Sequence, residues 1–119
     1  MAVIQAQVLQ FLGEIDLYRW DHILNGDTCD VVSVVAGQDQ MTVQCYGTIG
    51  GATLTIAGTI AGTTFQTLDD AFGQALSFAA LTTATKPVGP NVSGIRPVLT
   101  GGAGSDVSVD LLVVRKTRP

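Results

Sequence analysis

A chain of 119 residues suits a single domain, one that buries roughly two-thirds of its unfolded surface without cross-links. Ten acidic residues against six basic ones leave a net charge of −4, which argues against phosphate-backbone binding, so no nucleic-acid partner is expected. Apolar residues reach 46% while charged ones make up only 13%, about half the usual share of ~25%, so part of the surface is expected to be covered by sister copies or a partner. No apolar run approaches the ~18 residues of a membrane helix, and no signal-peptide pattern opens the chain. Synthesis in a cytoplasm is therefore expected, with no membrane contact.

In residues 1–12, Ile4, Ala6 and Val8 alternate as in a strand, and Leu9 and Phe11 then shift the phase. The segment reads as an N-terminal arm or edge strand. Val3, Ile4, Val8 and Phe11 are its candidate contacts to another copy. Gly13-Glu14 marks a break, after which residues 13–116 form the main domain and 117–119 a tail.

Across residues 15–24, Ile15, Leu17 and Arg19 share one strand face, and Asp16, Tyr18 and Trp20 the other. Tyr18 and Trp20 suit either the core or an intersubunit anchor, since both types are enriched at interface centres. Asn25-Gly26-Asp27 is a hairpin-type turn. Residues 29–35 follow as a strand, Gly37-Gln38-Asp39 ends it, and 41–46 pairs next.

The most informative stretch is residues 43–58, where two β-type runs flank Gly50-Gly51. Ala52, Leu54 and Ile56 alternate there with Thr53, Thr55 and Ala57. A one-residue slip would expose Leu54 and Ile56, so this strand sets the register for its neighbours.

Residues 58–64 read as a bulge or wide turn, 65–68 as a strand, 69–73 as a turn or single helical turn, and 75–79 as a strand. Pro87 and Pro90 make residues 82–94 the longest exposed loop, and Pro97 places strand 95–100 at an edge or bulge. After Gly101-Gly102 comes the last strand, 106–115. Its inward set is Val107, Val109, Leu111 and Val113, and its outer set turns apolar at Leu112 and Val114, which suggests cover on both faces. Eight or nine short strands with turn signals about every ten residues define an all-β fold, a single-domain antiparallel β-sandwich of jelly-roll-like type.

Little of this vocabulary carries chemistry. His22 follows Asp21, but one histidine without a nucleophile elbow does not make a triad. Asp69-Asp70 and the Glu14/Asp16 pair fit turn chemistry better than acid–base work. Gly101-Gly102-Ala103-Gly104-Ser105-Asp106 opens like a calcium-binding repeat, yet occurs once and reads as a hairpin turn. Cys29 and Cys45 are either a disulfide or two small buried hydrophobes, the latter favoured in a reducing compartment. Asn91-Val92-Ser93 is a glycosylation sequon by pattern alone. Arg115 and Lys116, at a basic C-terminal run, suit an acidic protein surface or a solvated tail. No catalytic, cofactor or metal site is expected.

Four motifs, taken together and in order, resemble a family. They are Asn25-Gly26-Asp27-Thr28, Gly47-Thr48-Ile49-Gly50-Gly51-Ala52-Thr53-Leu54, Ile95-Arg96-Pro97-Val98-Leu99-Thr100-Gly101-Gly102 and Val107-Ser108-Val109-Asp110-Leu111-Leu112. Over roughly residues 20–115 the chain is similar to the small head decoration, or cement, proteins of tailed bacteriophages. The resemblance implies a non-enzymatic virion protein on the capsid exterior that bridges subunits of the major capsid protein. The poorly patterned apolar start and the Trp20 region lead us to expect a homotrimer with the N-terminal segment as its capsid-facing or subunit-exchanging arm. The other reading of the same sequence is a virion-surface module that binds a host glycan or another tail or neck protein.

Overall fold

The structure is a computed structural model that describes residues 3–12, 15–34, 39–60, 62, 64–81, 85–89 and 92–115, without the side chains of 10–12, 39 and 115. The described residues form twelve strands and no helix: β1 (Val3–Ile4), β2 (Gln7–Leu12), β3 (Ile15–Leu24), β4 (Thr28–Cys29), β5 (Val32–Ser33), β6 (Asp39–Thr48), β7 (Thr53–Thr59), β8 (Gln66–Thr67), β9 (Ser77–Phe78), β10 (Thr85–Pro87), β11 (Gly94–Thr100) and β12 (Asp106–Arg115). One antiparallel sheet runs β10-β6-β12-β3-β2. A second runs β5-β11-β7-β8, with β9 also on β7. After β3 the chain crosses to the second sheet at β5, back at β6, over again at β7, and returns with β10, β11 and β12 in alternation. This interleaving of non-consecutive strands is the jelly-roll arrangement of two Greek keys. β1 lies apart, in a parallel pair with β4.

Alternation places the core. Val107, Val109, Leu111 and Val113 of β12 are fully buried, and they face Leu54 and Ile56 of β7 and Ile95 and Leu99 of β11 across the sandwich. Each such side chain contributes about 1.5–3 kcal/mol by leaving water. Trp20 sits among them at 1% exposure, its indole N–H donating to the Asp30 carbonyl at 3.0 Å. Burial of Trp20 settles its two readings: it is core, and it presents nothing to a partner.

Three connections are tied together at one end. Gly50 and Gly51, both at positive φ, turn β6 into β7, and Ser105 Oγ donates to the Ile49 carbonyl of that turn at 2.6 Å. Asn25, from the turn after β3, donates to the Gly101 carbonyl at 2.8 Å and accepts from the Ser105 amide at 2.9 Å. The sequence motifs around Asn25, Gly50 and Gly101 thus meet in space.

Several expectations change. The loop expected at residues 82–94 contains β10, whose Thr85, Lys86 and Pro87 pair with Gln44, Val43 and Thr42 at the sheet edge. An edge strand needs donors on one side only, so Pro87 is tolerated there. The strand expected at 29–35 divides into β4 and β5, which lie in different sheets. Pro97 sits on a strand between two neighbours, but β5 pairs only with Gly94 and Ile95, so β11 is locally an edge at Pro97. The turn at 69–73 is a turn, closed by Asp70 Oδ1 accepting from the Phe72 and Gln74 amides at 2.8 and 3.0 Å. Cys29 and Cys45 are free and buried, and burial pushes both thiols up to about 12.

Candidate functional site

The outer face of the first sheet, β10-β6-β12-β3-β2, carries polar and apolar side chains side by side. Register lays it out in rows. Asp110 of β12 stands opposite Arg19 and Gln44, Leu112 opposite Leu17 and Thr42, and Val114 opposite Ile15 and Gln40.

At one end, β3 takes in an extra residue between Val107 and Val109 of its partner strand. His22 adopts φ 54°, a conformation uncommon for a side-chain-bearing residue and characteristic of a bulge or strained site. Ser108, opposite the bulge, holds it from both sides: its hydroxyl donates to Asp21 Oδ1 at 2.7 Å and accepts from the His22 amide at 3.3 Å. The His22 ring lies with Nδ1 2.9 Å from Asp106 Oδ1 and Nε2 3.7 Å from Asp21. The hydrogen bond to Asp106, aided by the charge of Asp21, raises the His22 pKa above its ordinary value. A depression of about 300 Å³ lies here, lined by Asp21, His22, Tyr46, Asp106 and Ser108 among others.

The chemistry of this cluster is that of a bulge clamp. A serine nucleophile needs the imidazole as its proton acceptor, but Ser108 Oγ gives its proton to Asp21 instead. The side chain of His22 is 72% exposed, so nothing excludes water from it. Among the described residues no group of three or more His, Cys, Asp or Glu is placed to hold a metal ion.

Further along, Arg19 donates through two nitrogens to Asp110, at 2.8 and 3.1 Å, and the Tyr46 hydroxyl donates to Asp110 at 3.2 Å. The bond to Asp110 raises the Arg19 pKa, while burial and the same carboxylate raise that of Tyr46. Beyond this neutral centre the face becomes apolar. Ile15 is 40% and Leu112 37% exposed, with Leu17 and Val114 half-buried beside them. Edge strand β2 continues the greasy border, with Val8 58% exposed and Leu9 also exposed.

The contact residues expected from sequence are dispersed. Val3 is exposed and pairs with Thr28; Ile4 is half-buried and pairs with Cys29. Val8 lies on the sheet edge, and Phe11 pairs there with Asp16, its side chain outside the described residues. Tyr18 points inward and its hydroxyl donates to the buried Asp16 at 3.4 Å. Arg115 pairs with Asp39 at the end of β12, its side chain outside the described residues. Lys116, residues 117–119, Glu14 and Asn91 lie outside them altogether. Ile15 and Leu17 were missed as surface candidates. The signal for them was the apolar outer set of β12 directly across the ladder.

Fold and site together define a jelly-roll β-sandwich that displays a half-apolar sheet face. No family model matches the chain, and no curated protein matches it. Among solved structures it is similar to the SPBc2 prophage-derived protein YomS, at 14% identity over 91% of this chain and 99% of that one, with a TM-score of 0.49. A cupin 2 domain-containing protein from Halorhodospira halophila follows at 12% identity, 97% and 70% coverage and a TM-score of 0.48. Bacillus endospore appendages, described as a novel family of disulfide-linked pili, are similar at 13% identity, 95% and 92% coverage and a TM-score of 0.39. Likenesses this distant say nothing of what the chain binds.

Proposed function

We propose that this chain is a structural virion protein of a tailed bacteriophage that decorates the head, assembling as a homotrimer that bridges major capsid protein subunits and catalysing no reaction. The observation that carries the reading is the partly exposed apolar end of the first sheet, at Ile15, Leu17, Leu112 and Val114, bordered by edge strand β2. Solvent-facing apolar side chains on adjacent strands gain by being covered. The Arg19–Asp110 pair keeps the adjoining surface electrically neutral, so copies of an acidic chain can meet there without like-charge repulsion. The resemblance of the sequence motifs to those of cement proteins supports the viral context. Decoration draws its strength from many modest contacts summed over a symmetric shell, which suits a small patch.

The test is light scattering after size exclusion, followed by incubation with phage heads stripped of decoration. A trimer that binds the heads supports the proposal. A monomer that ignores them overturns it.

A further inference from the structure

We propose that the outer face of the second sheet is a binding site for an acidic sugar, with Arg96 as the anchor for its carboxylate. Arg96 on β11 stands opposite Ala57 of β7, which in turn stands opposite Thr67 of β8. The small Ala57 side chain leaves room for Arg96 to reach across β7, and its guanidinium carbon lies 4.1 Å from the centre of the Phe65 ring. Ala57 is buried beneath them, although it faces outward. Stacking on an aromatic ring fixes the plane of the guanidinium and covers one of its faces.

The Arg96 guanidinium lacks what Arg19 has. Its Nε–H is buried without a hydrogen-bond acceptor, and among the described residues no carboxylate is within ion-pair distance of it. A charged donor left without an acceptor is costly, and a bidentate carboxylate is the partner whose geometry fits a guanidinium best.

The surroundings select the class of carboxylate. Along the same outward rows lie Thr55 and Val98, then Thr53 and Thr100, with Ser77 beside Thr55. The Thr55 and Thr100 hydroxyls donate to the Val98 and Thr53 carbonyls at 3.4 and 3.3 Å, so their oxygens remain able to accept from a ligand. Apart from Val98 and the Phe65 ring already under the guanidinium, this row offers hydroxyl groups. An apolar peptide gains little from it, whereas a polyhydroxylated ring meets a donor or acceptor at each step. The site lies on the sheet opposite to the apolar patch and is independent of the virion reading.

The isolated full-length chain, labelled with ¹⁵N, is titrated with sodium glucuronate, glucose and sodium acetate, and the Arg96 side-chain Nε–H and the Thr55 and Val98 amides are followed. Glucuronate is expected to shift all three saturably, glucose not at all, and acetate with an affinity at least about tenfold weaker. Arg96→Gln is expected to abolish the response, and Arg96→Lys to weaken it at least about tenfold, because an ammonium neither forks nor stacks as a guanidinium does. Should Arg96→Gln fail to fold, Thr55→Val serves instead, and is expected to bring glucuronate binding down to the acetate level. Silence with glucuronate, equal response to acetate, or a response unchanged in these variants overturns the proposal, whatever the oligomer or the phage heads show.

Discussion

Ser108 and Asp21 are joined across the paired strands β12 and β3 of the first sheet, hydroxyl to carboxylate at 2.7 Å, at the point where β3 carries its extra residue. Ser108 is buried, so Ser108→Ala takes a donor from the half-exposed Asp21 carboxylate and leaves the His22 amide without its acceptor. The expected loss is about 1–3 kcal/mol, read as a lower urea midpoint with unchanged slope.

The His22 ring gives stability a pH dependence of defined sign. Its folded pKa is raised by Asp106 and Asp21, so the charged form is the one the fold favours. That contribution is fully present below the unfolded value of about 6.5 and is lost as pH rises through the raised folded value. Melting temperatures measured across this window should fall on the alkaline side in the parent chain and be flatter in His22→Gln. An equal slope in both would remove His22 as the source.

Gly47 is required by its neighbours as well as by its backbone. It holds φ 115°, and a Cβ there would strike the Asp106 carbonyl oxygen of the paired strand. Gly26, at φ 84°, has open space around it. Gly47→Ala should therefore cost about 2–5 kcal/mol, against about 1–2 kcal/mol for Gly26→Ala, which bears the backbone strain alone. Paired denaturant melts separate the two effects.

Leu112→Glu tests the apolar sheet face without touching the core. Stability should move within about 0.5 kcal/mol, as for other surface changes, while the proposed trimer is expected to fall to monomer in light scattering. A variant that keeps its oligomeric mass would show that this face is not where copies meet.

Leu54 is fully buried between the sheets. Leu54→Ala should cost about 2–5 kcal/mol through lost burial and the cavity left behind, measurable by the same denaturant melts.

The core was legible wherever strict alternation held. Val107 to Val113 and Leu54 to Ile56 occupy the inner face their spacing required. The bulge was less visible, although one trace of it lay in the sequence: Trp20 and Ile23, three apart, both face inward, which a regular strand forbids. Strand β10 was hidden by Pro87, with Pro90 close behind it in the sequence, because prolines argue against a central strand but leave an edge open. The apolar patch depends on the β3–β12 register, and the Arg96–Phe65 stack joins segments far apart in the chain. Neither follows from local pattern, because long-range pairing decides which side chains become neighbours.

The single tryptophan, sealed between the layers with its indole N–H on Asp30, furnishes the molecule with its own optical gauge. Its emission will report whether the two layers remain closed. Events confined to either outer surface, be it a sugar arriving or a sister copy docking, will pass without dimming it.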